Sequence, residues 1–286
     1  MWPPRDADEH APASPEADPP RQRTTLGDLI ESIETDLLGR TALSFDRWAQ
    51  RTGWSPEEPD RYCWRCAGSV GPHEQDGEGC ATCRHRKLPW DRALRLGPYE
   101  GRLRDEVLGL KFHAWRPGGD GLGLYLGRVI ERERTRGELD PSQIRLVPIP
   151  THRWRRLSRG VDHTLVLTRA ASRATGCPVS TLLRARYRAE QVGLSATARA
   201  KNMRGAFVTD PRRLRRTLGR GGRGGHGVRV WVLIDDVQTT GATFVEGART
   251  LRRGLKGASQ GSATPEVWVC SVAVAGQRAR RQREDA

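Results

Sequence analysis

The hydrophobic positions fall into short apolar runs separated by longer helical stripes. Val228, Val230, Trp231, Val232, Leu233 and Ile234 make a nearly continuous run, which predicts a strand buried on both faces of a parallel sheet. IRLVPI at 144–149 predicts a second buried strand, stopped by Pro148 and Pro150, and VSTLLR (179–184) and EVWVCSVAV (266–274) predict two more. Between them the period changes. LRDEVLGLKF (103–112), GLGLYLGRVIERER (121–134), residues 165–175 and the set Phe244, Ala248, Leu251 and Leu255 have helical spacing. Strands alternating with helices predict an α/β domain with a mostly parallel sheet flanked by helices.

The ends and joints read differently. Residues 1–23 are rich in Pro, Ala, Asp and Glu without apolar periodicity and predict a disordered tail. In 24–60, Leu26, Leu29, Ile30, Ile33, Leu37 and Leu38 share a helical face behind a Thr25/Asp28 capping pair; a linker with Trp48 and Trp54 as anchors follows. Residues 61–90 form a cysteine-bearing module, and 91–276 the α/β domain. Within it, 210–227 is an arginine–glycine insertion whose composition predicts flexibility. A basic tail, 277–286, ends the chain.

Charge narrows the partners. The 286 residues carry a formal net charge of +15, nearly all from arginine, since lysine occurs only at Lys87, Lys111, Lys201 and Lys256. Such a surface favours phosphorylated metabolites, nucleic acid, or both. No run of eighteen apolar residues and no signal-peptide core occurs, so no membrane insertion is expected and the expected location is cytoplasmic.

The candidate chemistry lies where the first strand should end. Asp235 and Asp236 are followed by Thr239, Thr240, Gly241, Ala242 and Thr243 and then by the helix carrying Phe244. A strand, a short loop of hydroxyls and glycine, and a helix start make a phosphate cradle, because the helix N-terminus offers N–H groups and a positive dipole end. Ionised Asp only accepts hydrogen bonds, so the pair suits the vicinal hydroxyls of a ribose whose 5′-phosphate sits in the loop. No Walker-type Gly-Lys is present. After the 144–149 strand, Arg153, Arg155, Arg156 and Arg159 crowd one loop, where an anion is expected in such a sheet.

Cys63, Cys66, Cys80 and Cys83 form two C-x2-C knuckles thirteen residues apart. Two knuckles converging on one ion complete a tetrahedral sulfur site that suits structural Zn2+. Disulfides are disfavoured in the reducing compartment expected here, and His73 and His85 are alternative nitrogen ligands. Cys177 and Cys270 lie in apolar stretches and are expected in the core.

The DDVQTTGAT segment resembles the phosphoribosyl pyrophosphate motif of type I phosphoribosyltransferases. With the four cysteines, V-P-I-P at 147–150, Arg159-Gly160, Gln191 and RAKNMRGAF (199–207), the order resembles the ComF family of phosphoribosyltransferase-like proteins over residues 63 to about 275. The resemblance implies a type I phosphoribosyltransferase-like fold with a small N-terminal zinc finger. It also implies binding of Mg2+-phosphoribosyl pyrophosphate and displacement of pyrophosphate at the anomeric carbon by an unnamed acceptor. Asp235 and Asp236 would hold the ribose, residues 239–243 the 5′-phosphate, and Arg155, Arg156 and Arg159 the pyrophosphate, with 184–201 as a lid. ComF-like proteins are associated with DNA uptake. A competing reading is therefore a non-catalytic accessory that binds single-stranded DNA, works with the uptake machinery and uses phosphoribosyl pyrophosphate as a regulatory ligand. Two positions depart from the pattern: Asp162-His163 replaces the commoner Asn-Gln, and Arg188 a threonine. An aspartate beside a pyrophosphate repels it unless Mg2+ intervenes or the side chain points elsewhere.

Overall fold

The computed structural model describes residues 45–112, 116–150, 162–186, 203–219, 227–256 and 264–276. The helix expected in 24–38, the basic 151–161 loop and both termini lie outside them. The elements in chain order are α1 (Phe45–Thr52), β1 (Gln75–Asp76), β2 (Gly79–Cys80), β3 (Arg92–Pro98), α2 (Gly101–Phe112), α3 (Arg116–Arg136), β4 (Ile144–Pro148), α4 (His163–Thr175), β5 (Leu183–Ala185), β6 (Phe207–Thr209), α5 (Pro211–Gly219), β7 (Val230–Gln238), α6 (Ala242–Lys256) and β8 (Glu266–Val274).

β3, β8, β7 and β4 form one parallel sheet in that spatial order. The apolar runs end up buried on both faces, as continuous runs in parallel strands should. Val230, Val232 and Ile234 of β7 join one core with Leu167 and Ala171 of α4 and Leu122, Leu126 and Ile130 of α3. Trp231 and Leu233 join the other with Phe244, Ala248, Leu251 and Leu255 of α6. Cys177 and Cys270 are buried, as expected.

Two glycines of α3 set how closely α4 approaches. A Cβ at Gly123 would stand 2.4 Å from the Ala170 Cβ, and one at Gly127 2.6 Å from that of Ala174. The G-L-G-L-Y-L-G run is therefore a seam for close helix packing, which fixes α4 and its N-terminus against the sheet.

Several expectations change. VSTLLR is not a single strand of the main sheet: Val179 makes one parallel bridge to Leu146, and Leu183–Ala185 instead pair antiparallel with Phe207–Thr209. ALRLGP, read as no element, becomes the edge strand β3. The 210–227 insertion is helical in its first half. Asp210 Oδ1 accepts from the Arg212 and Arg213 amides, Pro211 occupies the first turn, and Leu214 is buried in the α6-side core. In the stretch read as a linker, α1 places Phe45 in an aromatic cluster, with ring centroids 5.0 Å from Trp54 and 5.5 Å from Tyr125. No helix of the described residues is long and apolar enough to cross a membrane.

Candidate functional site

β7 runs four residues further, to Gln238, than its apolar run suggests. Asp235 pairs with Ser271, Val237 with Ala273 and Gln238 with Val274, so the acidic pair lies inside the strand rather than after it. Strand alternation sends adjacent side chains to opposite faces, and the two carboxylates part accordingly. Asp236 is 5 % exposed and takes the α4 side, whereas Asp235 is half-buried, its Oδ1 accepting from the Asp236 amide at 2.9 Å. Asp236 Oδ1 accepts from the Val237 amide at 2.6 Å.

The turn after β7 is short. Thr239 and Thr240 are half-buried, Gly241 has φ +77°, and Ala242 opens α6. Only glycine takes that φ without strain. Thr240 Oγ1 accepts from the Ala242 amide at 3.3 Å, and the first α-helical bond runs from Val245 N–H to Gly241. The opening amides of α6 have no intrahelical acceptors, and Thr239, Thr240 and Thr243 lie beside them in the turn that the sequence marks as a candidate anion site.

The neighbouring strand β4 ends at the same edge. Its chain passes through α4 to the Val179 bridge on the outer side, while β7 feeds α6 and β8 on the other. The β4–β7 crevice is thus a topological switch point, the usual ligand position in open parallel sheets. Asp162 is the N-cap of α4: its Oδ1 accepts from the Leu165 amide at 3.3 Å and from Thr164 Oγ1 at 2.9 Å. A carboxylate at a helix N-terminus is favoured by the dipole, which accounts for this departure from the family pattern. The residue after it was missed by reading the sequence. His163 Nε2 lies 2.9 Å from Asp236 Oδ2, and its Nδ1 is buried without a hydrogen-bond partner. The one sequence signal was position, directly after the basic loop where the family's commoner residue is Gln.

Arg155, Arg156 and Arg159 lie outside the described residues, as does 187–202, most of the expected lid. The ends of that segment are tied together by the β5–β6 ribbon, continued by the Arg186 amide donating to Ala206 at 2.8 Å. Gly205, in the MRGAF stretch, donates its amide to the buried Glu246 of α6 at 2.8 Å. Arg204, Arg249, Arg252, Arg253 and Lys256 line a groove of about 410 Å³ there. The last four recur at helical i, i+3, i+4, i+7 spacing, so they form one cationic stripe down α6.

The four cysteines converge. Their sulfurs all lie within 4.8 Å of one another, and all four residues are buried. Cys63–Cys83, Cys66–Cys80 and Cys80–Cys83 are separated by 3.6, 3.7 and 3.8 Å. A tetrahedron of sulfurs about 2.3 Å from Zn2+ has edges of about 3.8 Å, so the donor set fits zinc. Hydrogen bonds from Cys66 and from nearby amides hold the Cys63 thiol down to about 4, whereas its pairing and burial push Cys66 up, and burial pushes Cys83 up to about 11. Four thiolates this close need a cation to ionise together. His73 and His85 are exposed and outside the cluster.

A four-stranded parallel sheet flanked by helices, with an acidic strand end, a hydroxyl-rich turn and a helix start, joined to four convergent sulfurs, defines an α/β protein with a four-cysteine module compatible with a zinc finger. Known relatives carry the assignment one step further. The chain is 32 % identical over 193 residues to the DNA utilization protein YhgH of Escherichia coli strain K12 and to that of Salmonella typhimurium, covering 66 % of this chain and 75 % of theirs. It is 27 % identical over 196 residues to Competence protein F of Haemophilus influenzae, covering 67 % and 79 %. No family model matches. The chain belongs to the ComF family.

Proposed function

We propose that this protein binds Mg2+-phosphoribosyl pyrophosphate in the β4–β7 crevice and transfers its phosphoribosyl group to an acceptor. The observation that carries the reading is the continuity of β7, the 239–243 turn and α6 at the switch point, with Asp236 buried against His163. The 5′-phosphate accepts from the opening amides of α6 and from the Thr239, Thr240 and Thr243 hydroxyls. Asp235, the more accessible carboxylate, accepts from a ribose hydroxyl, and Asp236 is held for the second by His163. The acceptor's lone pair attacks the anomeric carbon, the bond to the pyrophosphate oxygen breaks, and its electron pair leaves with pyrophosphate. Arg155, Arg156 and Arg159, in the basic loop after β4, would stabilise the charge of that leaving group. Bound together with the substrate, Mg2+ would supply charge neutralisation at the pyrophosphate. The lid expected over 184–201 excludes water from the cationic centre.

The test is pyrophosphate release measured against a panel of nitrogenous acceptors, with and without single-stranded DNA. Release that depends on an acceptor and is lost in Asp235→Asn supports transfer. Binding of phosphoribosyl pyrophosphate without turnover leaves the ligand-binding half and removes the catalytic one.

A second reading has its own observation, the cationic stripe Arg249, Arg252, Arg253 and Lys256. It suits the phosphates of a nucleic acid strand. Relatives named for DNA utilization and competence support a role in handling DNA, and in this reading the same site serves as a regulatory pocket. Salt-dependent binding of single-stranded DNA by a protein that releases no pyrophosphate favours it.

A further inference from the structure

The finger is joined to the sheet through its first knuckle. Four successive carbonyl oxygens, those of Trp64, Arg65, Cys66 and Ala67, each accept a hydrogen bond, three from the α/β domain and one from Trp90, the last residue of the 61–90 module. Ala93 N–H donates to Trp64 at 2.8 Å and Arg95 Nη1 to Ala67 at 2.9 Å, both from β3. Trp90 Nε1 donates to Arg65 and Gln238 Nε2 to Cys66, each at 2.8 Å. The two inner bonds come from groups that bracket the phosphate turn.

Gln238 is the last residue of β7 and immediately precedes Thr239. It is 8 % exposed, and its Oε1 is buried without a hydrogen-bond partner, so the bond to Cys66 is what orients its amide. Trp90 closes the other end. Its indole stands edge-on to Phe244 in the first turn of α6, with centroids 6.3 Å apart at 69°, and a Cβ on Gly241 would come 3.6 Å from its Cη2. Both ends of the 239–243 turn are therefore fastened to the backbone of one knuckle. Cys66 supplies a sulfur to the metal site and a carbonyl to Gln238 from the same residue.

We propose that Gln238 is a positioning residue that couples the filled four-cysteine site to the phosphate turn. The inference rests on the reading that this turn holds a phosphate. With metal bound, the knuckle backbone is rigid and Gln238 holds the start of the turn in its binding shape. Without metal the Cys66 carbonyl is released and the turn loses that anchor. Such coupling is reciprocal: if metal favours phosphate binding, a bound phosphate favours retention of metal by the same factor.

The test uses the full-length zinc-loaded protein, with zinc retention measured at equilibrium against a competing chelator in the presence and absence of Mg2+-phosphoribosyl pyrophosphate. Ligand affinity is measured separately by calorimetry. The expected result is that the ligand raises zinc retention of the wild type at least about fivefold. Gln238→Met, which keeps length and burial but removes the donor, keeps one zinc per chain, binds ligand more weakly and loses the ligand effect on retention. Trp90→Phe keeps a ring against Phe244 but removes the donor to Arg65, and carries the same test should Gln238→Met fail to fold. Ligand binding that leaves wild-type zinc retention unchanged, or coupling that survives both substitutions, overturns the proposal while leaving the binding site intact. No ligand binding to the zinc-loaded wild type overturns the phosphate-site reading itself, and this proposal with it.

Discussion

His163 Nε2 stands 2.9 Å from Asp236 Oδ2, and the contact joins the first residue of α4 to the acidic end of β7. Both side chains are only 7 % exposed, so the pair is shielded from water and each partner depends on the other. Asp236→Asn keeps the shape but removes a charged acceptor. It should weaken phosphoribosyl pyrophosphate binding by about 1.5–3 kcal/mol where a hydrogen bond to that carboxylate is lost. His163→Gln retains a donor at the same place and should bind nearly as wild type, whereas His163→Leu should weaken binding. Calorimetry on the three variants checks this. Equal affinity in all of them means that the pair serves packing alone.

Purified protein should contain one zinc per chain, since four sulfurs close a tetrahedral site. Cys63→Ser or Cys80→Ser should lower zinc content and thermal stability together, because metal binding supplies the folding free energy of such a small module. Metal analysis beside a melting curve decides the matter. A metal-free protein with an unchanged melting curve overturns it.

The α3–α4 seam predicts a stability effect remote from the ligand. Gly123→Leu forces a side chain into space occupied by Ala170 and the Leu167 backbone. Overpacking of this kind costs about 1–3 kcal/mol, read as a shift of the denaturation midpoint. Because α4 carries His163, ligand affinity should fall as well.

If the protein binds single-stranded DNA, the plot of log affinity against log salt should be steep, and each phosphate contact removed should flatten it by about 0.7. Arg249→Ser with Lys256→Ser tests the α6 stripe, and neither residue belongs to the phosphate turn. Arg212→Ser with Arg216→Ser tests α5; substitution is the right instrument there, because deleting the helix would expose the core around Leu214. A slope unmoved by both pairs places DNA binding elsewhere or nowhere.

The main architecture was legible because it follows local rules. Continuous apolar runs identified β4, β7 and β8, since a strand covered on both faces needs apolar residues at every position. Helical spacing identified α2, α3, α4 and α6. The two C-x2-C knuckles announced a metal site because paired spacing already brings two sulfurs onto one ion. Local signals were also present where the reading went astray: Asp210, Pro211, Leu214 and Leu218 are a capped, amphipathic helix start that the arginine–glycine composition obscured. β3 was overlooked because its run is interrupted by Arg95, whose charge is balanced by Glu57 at 2.6 Å, thirty-eight positions away.

What the sequence by itself determined was each piece of chemistry: the acidic pair, the hydroxyl turn before a helix, and the sulfur quartet. The tertiary structure alone decided how those pieces meet. That Asp236 faces His163 depends on α4 packing beside β7. That Asp162 caps a helix depends on where that helix begins. That the knuckle carbonyls of Arg65 and Cys66 are held by groups at both ends of a turn more than 170 positions away, 172 for the Gln238–Cys66 bond, depends on β3 lying against β8. Contacts between distant segments are set by the docking of whole elements, and no local pattern of residues encodes them.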